Sequence, residues 1–266
     1  MKTFGKILAL VLAGLMAAAL AGCGGAKDEM IIGVTLNPPM NYQDAKGNWT
    51  LGFDTEFAIA VCDILGVKAK FVEIDWTAKE TELKGRTIDA VWNGMTITPE
   101  RAEEMDISIP YMNNRPVIVV RAADKEKYQD ATDLSGVALV AEGGSTLEEC
   151  VKAQPIFANA NFTPVEKQVV GMMEVLAGTA DMTVVDGTLA ADQIKAGSDF
   201  ADLAVIDKNF PSEEYGIAFL KGRTGDDTDP FDNILEKVND AILKLRADGT
   251  LQKLADKYGL GDLLIK

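Results

Sequence analysis

The residues best placed to do chemistry lie in the segment Trp92–Arg101, which follows an apolar strand and opens a helix. Thr98 can cap that helix, and Pro99 suits its first position, where a missing N–H costs nothing. Arg101 then falls in the first turn, beside a loop in which Gly94 leaves backbone amides accessible. Bidentate hydrogen bonds and a helix end both favour an anion, so the segment predicts a carboxylate site. The alternative is an arginine that faces solvent.

Further polar groups lie in the second half of the chain. Ser145 and Glu148 form a Ser-x-x-Glu capping box, which predicts a helix start and turns the N–H of Thr146 toward a cleft. Asp186 ends an apolar strand, and the carboxyl edge of the strands is the usual ligand side of an open α/β sheet. Asp186 could instead cap a helix that begins near Thr188.

The composition excludes several kinds of chemistry. The chain has 266 residues and no histidine, which removes Ser-His and Cys-His catalysis and the commonest metal ligand. No pair of residues marks a catalytic centre, so we predict no catalytic residue, no metal and no cofactor. The formal net charge of −15 argues against nucleic acid as a partner.

The elements that must position these groups alternate between strands and helices. The strands are predicted at Met30–Thr35, Lys68–Ile74, Ile88–Asn93, Pro116–Arg121, Val137–Ala141 and Met182–Val185. The helices are predicted at Asp54–Leu65, with Phe57, Ala60, Val61 and Ile64 on one face and Gly66 as its stop, then through Leu83, from Thr146, at Phe231–Arg246 and at Leu251–Tyr258. This alternation predicts an α/β fold with mixed, parallel-rich sheets.

The N-terminus has the pattern of an export signal. Lys2 and Lys6 precede an apolar run that is too short to span a bilayer, so residues 1–22 are predicted as a signal peptide rather than a retained membrane anchor. The order Leu20-Ala21-Gly22-Cys23 resembles the lipobox of bacterial lipoproteins, in which the cysteine is acylated and becomes the mature N-terminus. A stray cysteine is the alternative. Residues 23–29 would then form a lipidated tether.

The chain as a whole resembles family 3 of the solute-binding proteins, which serve ABC importers of polar amino acids. The resemblance rests on Met30–Gly66, Thr96–Arg101, Ile109–Tyr111, Asp181–Asp186 and Asp248–Leu251. It implies a two-lobed, type II periplasmic-binding-protein-like fold. Lobe 1 would comprise residues 30–115 and 215–266, lobe 2 residues 116–214, and two strand-like crossings near Pro116 and Glu214 would form a two-strand hinge.

The resemblance also implies roles for the residues singled out above. Arg101 takes the place of the arginine that grips the α-carboxylate of the ligand, with Gly94 and Thr96 beside it. Thr146, next to Ser145, makes a second contact to that carboxylate, and Asp186 binds the α-ammonium. A ligand that bridges the lobes in this way would favour the closed state.

Fewer residues bear on recognition of the ligand's side chain. Trp76 occupies the position of an aromatic that packs on the ligand, whereas Trp92 is predicted as core. Met40 stands where the family often has another aromatic, which weakens any assignment of specificity. Asn93 and Glu142 flank the predicted pocket, and Glu142 could either pair with a basic ligand or lie exposed. The preferred ligand is a polar L-amino acid, with a cationic one included.

The resemblance further implies a monomeric binding protein, not an enzyme, that is lipid-anchored at the extracytoplasmic face of the cell membrane and works with an ABC permease and its ATPase. Two alternatives differ in function: a sensor subunit, and an enzyme like the cyclohexadienyl dehydratases of the same fold. Cys62 and Cys150 would lie in different lobes, where a bond would obstruct motion, so we predict two buried free thiols.

Overall fold

A computed structural model describes residues 29–223 and 231–266. The predicted signal peptide, Cys23 and nearly all of the predicted tether lie outside the described residues. Within the described ranges, no helix combines the length and the apolar character needed to cross a membrane.

The strands follow the chain in this order: β1 (Glu29–Val34), β2 (Tyr42–Gln43), β3 (Trp49–Leu51), β4 (Lys68–Glu73), β5 (Ala90–Thr96), β6 (Met105–Ile107), β7 (Met112–Asn114), β8 (Pro116–Arg121), β9 (Ala138–Glu142), β10 (Asn161–Val165), β11 (Met182–Asp186), β12 (Leu203–Ile206) and β13 (Glu213–Leu220). The helices are α1 (Phe53–Leu65), α2 (Lys79–Lys84), α3 (Pro99–Glu104), α4 (Lys125–Gln129), α5 (Thr146–Ala153), α6 (Gln168–Ala177), α7 (Gly187–Gln193), α8 (Ile234–Ala247) and α9 (Thr250–Lys257).

Two sheets build two lobes. The first lobe contains the order β4-β1-β5-β13-β6, in which β1 is parallel to β4 and β5, and β13 runs antiparallel to β5, β6 and β7. The second lobe contains the order β10-β9-β11-β8-β12, with β9, β10 and β11 parallel and β8 antiparallel to its neighbours. The predicted mixed, two-lobed α/β fold is confirmed.

Strand β8 shows that the sheet of the second lobe is buried on both faces. Its Val117 and Val119 pack into one apolar cluster, whereas Ile118 and Val120 pack into another on the opposite face. Such an unbroken apolar run is typical of a central strand covered by helices on both sides. The strand is therefore fixed between β11 and β12.

Helix α1 ends as predicted, because Gly66 adopts a left-handed conformation and closes the last turn. The predicted apolar face was partly wrong. Phe57 and Val61 are fully buried, but Ala58 and Cys62 share their face, and Ile64 is 37% exposed. Helices α8 and α9 belong to the same core, and α8 begins three residues after the predicted start at Phe231.

The chain crosses between the lobes at Arg115, which separates β7 from β8, and again between β12 and β13. Strand β7 pairs with the start of β13, so the two crossings lie side by side. The lobe limits at 115 and 215 remain predictions. Cys62 and Cys150 are both free, the first buried and the second half-buried.

Candidate functional site

A cavity lies between the two lobes. All nine residues predicted for the pocket line it, together with three that the sequence did not suggest: Trp76, Asn93, Gly94, Thr96, Arg101, Glu142, Ser145, Thr146 and Asp186, then Asn37, Leu147 and Gln168. Their roles toward a ligand remain predictions.

The topology explains why these residues meet. Thr96, Glu142 and Asp186 are the last residues of β5, β9 and β11, and Trp76 and Gln168 follow the ends of β4 and β10. Within each of the two sheets these strands run parallel, so their carboxyl ends lie at one edge of that sheet, and residues at both edges line the cavity. Such an edge is where open α/β sheets hold ligands.

Arg101 is buried at the cavity, with 8% of its surface exposed. Thr98 caps α3 by accepting the N–H of Arg101 at 3.2 Å, which confirms the predicted helix start. The guanidinium donates from Nη1 to the carbonyl oxygen of Thr96 at 2.8 Å and forms no ion pair with residues 29–223 or 231–266. Burial lowers its pKa, yet a guanidinium stays charged in proteins. Arg101 therefore presents a positive charge that a carboxylate can neutralise.

Trp76 lies beside two cations. The ring centroid is 6.0 Å from the Arg101 guanidinium carbon and 5.0 Å from the Lys79 ammonium. The indole is 5% exposed, and its Nε1 has no hydrogen-bond acceptor among the described residues. The ring therefore lines one side of the cavity.

Asp186 is held by two side-chain amides. Its Oδ1 accepts from Nδ2 of Asn114 at 2.7 Å, and its Oδ2 accepts from Nε2 of Gln168 at 2.6 Å. Its carboxylate does not cap α7, so the alternative of a helix cap was wrong. Burial and, after it, the charge of Glu213 raise the pKa of Asp186 to about 7, against the hydrogen bonds that lower it. A cation beside Asp186 would relieve this cost.

Glu142 is a second buried acid, with 5% of its surface exposed, so the alternative of an exposed residue was wrong. Burial and the neighbouring charge of Asp186 raise its pKa to about 8. Lys79, Gln168 and Arg101 act in the opposite direction but do not outweigh these effects. The cavity thus has an acid that its own neighbours leave poorly stabilised as an anion.

The start of α5 closes the cavity from the second lobe. Ser145 accepts the N–H of Glu148 at 3.3 Å, which confirms the predicted helix start. Glu148 accepts the N–H of Gly144 at 2.7 Å, one residue before the N-cap, so the reciprocal bond of a capping box is shifted by one residue. Thr146 lies opposite Thr96, with 3.4 Å between their hydroxyl oxygens. As the first residue of the helix, Thr146 has an N–H with no partner inside that helix.

One expectation about the segment before Arg101 needs correction, and the side chain of Asn93 has a structural use. Gly94 belongs to β5, and its N–H donates to Oδ2 of buried Asp54 at 2.6 Å, so this amide is not accessible as predicted. Asn93 uses its Nδ2 for the carbonyl of Thr35 at 2.9 Å and for Oδ1 of Asn41 at 2.8 Å. Both amides therefore support the cavity wall, and Trp92 is fully buried core as predicted.

The lobes touch across the cleft. Lys79 of the first lobe donates from Nζ to the carbonyl oxygen of Gly144 in the second at 3.0 Å, and Lys167 pairs with Glu73 at 2.5 Å. The structure therefore has the cleft closed over the cavity. No cluster of three or more metal-ligating residues occurs within the described ranges.

A charged cavity is closed between two α/β lobes, and two neighbouring chain crossings connect these lobes. This arrangement defines a solute-binding protein of the type II periplasmic fold. The chain belongs to family 3 of the bacterial extracellular solute-binding proteins, whose model matches residues 30–261. Membership of this extracellular family places its work outside the cytoplasm. Its relatives are amino-acid-binding proteins of ABC transport.

Two relatives and two solved structures illustrate the likeness. The L-cystine-binding protein of Escherichia coli strain K12 is 30% identical, over 83% of this chain and 78% of its own. The ABC transporter arginine-binding protein 1 of the same strain is 27% identical, over 94% and 98%. An ancestral arginine-binding protein bound to arginine superimposes with a TM-score of 0.75 at 29% identity, over 87% and 98%. An ancestral amino acid-binding protein that preceded cyclohexadienyl dehydratase gives 0.76 at 30%, over 87% and 95%.

Three residues that support the cavity escaped sequence reasoning. Gln168 lies one turn before the buried positions Gly171, Met172 and Val175, on the same face of α6. The sequence signal that could have revealed it is a polar residue within an apolar stripe. Asn114 lies on a short strand with no comparable local pattern. Lys79 is a lysine with 3% exposure, and nothing in its neighbourhood along the chain indicates burial.

Proposed function

We propose that this protein is the substrate-binding lipoprotein of an ABC importer and captures a polar L-amino acid between its lobes. The observation that carries the proposal is buried Arg101, which has no ion-pair partner among the described residues and shares a cavity with buried Asp186. A zwitterion supplies both missing charges at once. Each ion would otherwise remain buried at a cost of several kcal/mol.

The α-carboxylate of the ligand would bind the guanidinium of Arg101 and the N–H of Thr146 at the start of α5. The α-ammonium would bind Asp186. Because Arg101 belongs to the first lobe and Asp186 to the second, a ligand satisfies both only when the cleft is closed. The difference in contacts between open and closed states would drive closure.

The lipid anchor rests on the sequence Leu20-Ala21-Gly22-Cys23. A diacylated Cys23 would keep the binding protein at the membrane, where tethering raises its effective concentration near a permease. Metabolic labelling with a fatty acid tests this directly. Label that is retained in a Cys23→Ser variant would contradict it.

The polar lining also limits the ligand's side chain. Glu142 adds a second buried acid beside Asp186, so a positively charged or neutral polar side chain suits the cavity better than an acidic one. The names of the two relatives, cystine- and arginine-binding, agree with a polar amino acid.

An enzyme remains the second candidate, because a buried acid such as Glu142, whose pKa is about 8, can act as a general acid near neutral pH. One of the similar solved structures is an ancestral amino acid-binding protein that preceded an enzyme, cyclohexadienyl dehydratase. Turnover of prephenate or arogenate by the purified protein would favour it.

A neighbouring gene for a receptor, in place of an ATPase and a permease, would favour a sensor.

The decisive experiment is calorimetric titration with the common amino acids, first screened by thermal shift. Arg101→Met should abolish binding of the ligand found while leaving the fold intact, and Lys195→Met, at an exposed lysine, should leave binding unchanged. Equal affinities of the wild type and the Arg101→Met variant would refute the proposal.

A further inference from the structure

The acids of the cavity are separated by side-chain amides. Asn114 donates to Asp186 and also to Oε2 of Glu213 at 3.1 Å, so one amide lies between these two carboxylates. On the other side of Asp186, the Gln168 amide donates to Asp186 and also acts on Glu142. Gln168 thus divides the acids that line the cavity into two positions, one at Asp186 and one at Glu142.

The nearest ammonium cannot serve a ligand. A lysine has three N–H donors. Those of Lys79 have three acceptors within reach: the carbonyl oxygens of Trp76 at 3.2 Å and Gly144 at 3.0 Å, and Oε1 of Glu80 at 3.2 Å. Lys79 is therefore committed to the protein, and it can hold neither a second carboxylate of a ligand nor Glu142 in a direct ion pair.

The charges of the lining residues then do not balance. Arg101 contributes one positive charge, and Asp186 and Glu142 contribute two negative ones when ionised. An amino acid with a neutral side chain matches Arg101 with its carboxylate and Asp186 with its ammonium, which leaves Glu142 without a counter-charge. A second cation on the ligand removes this excess.

We propose that Glu142, set apart from Asp186 by Gln168, is the specificity-determining residue of the cavity and takes a single cationic group, an amine or a guanidinium, at the end of the ligand's side chain. The inference rests on the proposed function and deepens it. It excludes a ligand whose far end is itself a zwitterion, because Lys79 has no donor left for that end's carboxylate.

The number of protons released when a ligand binds provides an independent measurement. Asp186, Lys79, Gln168 and Arg101 are the groups that act on Glu142, and its raised pKa means that much of it is protonated at pH 7. A cation bound there stabilises the ionised form, so binding should release a proton to the buffer. A ligand with a neutral side chain should release fewer protons, because only the subsite at Asp186 then gains a cation.

The test compares arginine with citrulline, its uncharged isostere, and adds lysine, all titrated calorimetrically at pH 7 in two buffers of different ionisation enthalpy. The wild type should bind arginine or lysine on the order of 10- to 100-fold more tightly than citrulline. In Glu142→Gln, affinity for the cationic ligand should fall until the preference over citrulline is within about threefold, and the extra proton release should disappear.

Three outcomes would overturn the inference: citrulline bound as tightly as arginine and lysine, a Glu142→Gln variant that loses both kinds of ligand equally, or one that retains the preference and the proton release. Unfolding curves establish that the variant is folded. The two proposals can fail separately. If the protein binds a neutral amino acid, and this binding needs Arg101 but not Glu142, the present inference fails and the proposed function stands.

Discussion

The side chain of Gln168 makes two hydrogen bonds with Asp186: its Nε2 donates to the carboxylate at 2.6 Å, and its Oε1 accepts the backbone N–H at 2.8 Å. The second bond determines which way the amide faces, so its NH₂ group must point to the carboxylate. One side chain therefore fixes both the position and the rotamer of the acid proposed to bind the α-ammonium.

Replacing Gln168 by leucine should weaken amino-acid binding on the order of 10- to 100-fold, because Asp186 loses a donor that stabilises its ionised form. The loss should be smaller at pH 9 than at pH 6, since high pH restores the carboxylate whose pKa the substitution raises further. Titration calorimetry at both pH values measures this. Gln129→Leu, at an exposed position on α4, provides the control. A loss of affinity that is independent of pH would contradict the role.

Replacing Lys79 by methionine should accelerate ligand dissociation about tenfold while the association rate changes less than threefold. The reason is that Lys79 donates to Gly144 across the cleft, a contact that exists only when the lobes are closed. Stopped-flow tryptophan fluorescence measures both rates. Lys84→Met is the matched control, because it removes the same charge from the same helix at a side chain that is 57% exposed. Equal dissociation rates in the two variants would contradict the prediction.

Alanine at Gly94 should destabilise the fold by about 3 kcal/mol. Gly94 has φ of +57°, and an added Cβ would lie 3.2 Å from the Tyr215 ring. Gly47→Ala separates the two causes: its φ is +81°, but no atom lies within 4 Å of an added Cβ, so a cost of only about 1 kcal/mol is expected. Urea unfolding measures both variants. Equal losses would show that contact with Tyr215 contributes nothing.

The ligand-free protein should lose stability as the pH rises from about 4 to about 7. Burial raises the pKa of Asp54 from 3.8 to about 7, so in this interval the unfolded chain ionises the group while the folded protein keeps it protonated. The unfolded state then binds fewer protons, and the free energy of unfolding falls by at most about 1.4 kcal/mol per pH unit for this one group. Above about pH 7 its contribution is constant.

Asp54→Asn isolates this contribution, because asparagine does not titrate. Free energies of unfolding from urea titrations at several pH values should fall less steeply in the variant than in the wild type between pH 4 and pH 7. Parallel curves would mean that Asp54 is ionised throughout. Asp186 and Glu142, whose pKa values are raised in the same direction, add to the slope of both proteins.

Local signals in the sequence predicted the parts of the site that depend on neighbours along the chain. Thr98 and Pro99 start α3, and Ser145 starts α5, because capping is decided within one turn. Thr96 and Asp186 each end a strand, at the carboxyl edges of the two sheets that face the cavity. The resemblance to a family supplied the pairing of these residues, and every one of the nine predicted positions lines the cavity.

The misses have a common physical origin. The Gly94 amide is taken by Asp54, 40 residues away, and Glu142 is buried beside Asp186 and Gln168, which belong to later elements of the chain. Strand β10 escaped notice because it carries Pro164 and is half-exposed at the edge of its sheet. Such facts depend on tertiary contacts, for which a local pattern carries no signal.

Asn114 lies at the crossing between the lobes and forms hydrogen bonds with two carboxylates. It is the last residue of β7, it pairs with Glu213 at the start of β13, and its amide donates to carboxylates on both sides of the crossing. Rotation about these strands would change the distance between that amide and Asp186, and with it the pKa of the carboxylate. Lobe angle and proton affinity would therefore be coupled, and opening of the lobes by the proposed permease would also change the charge on the acid proposed to bind the α-ammonium.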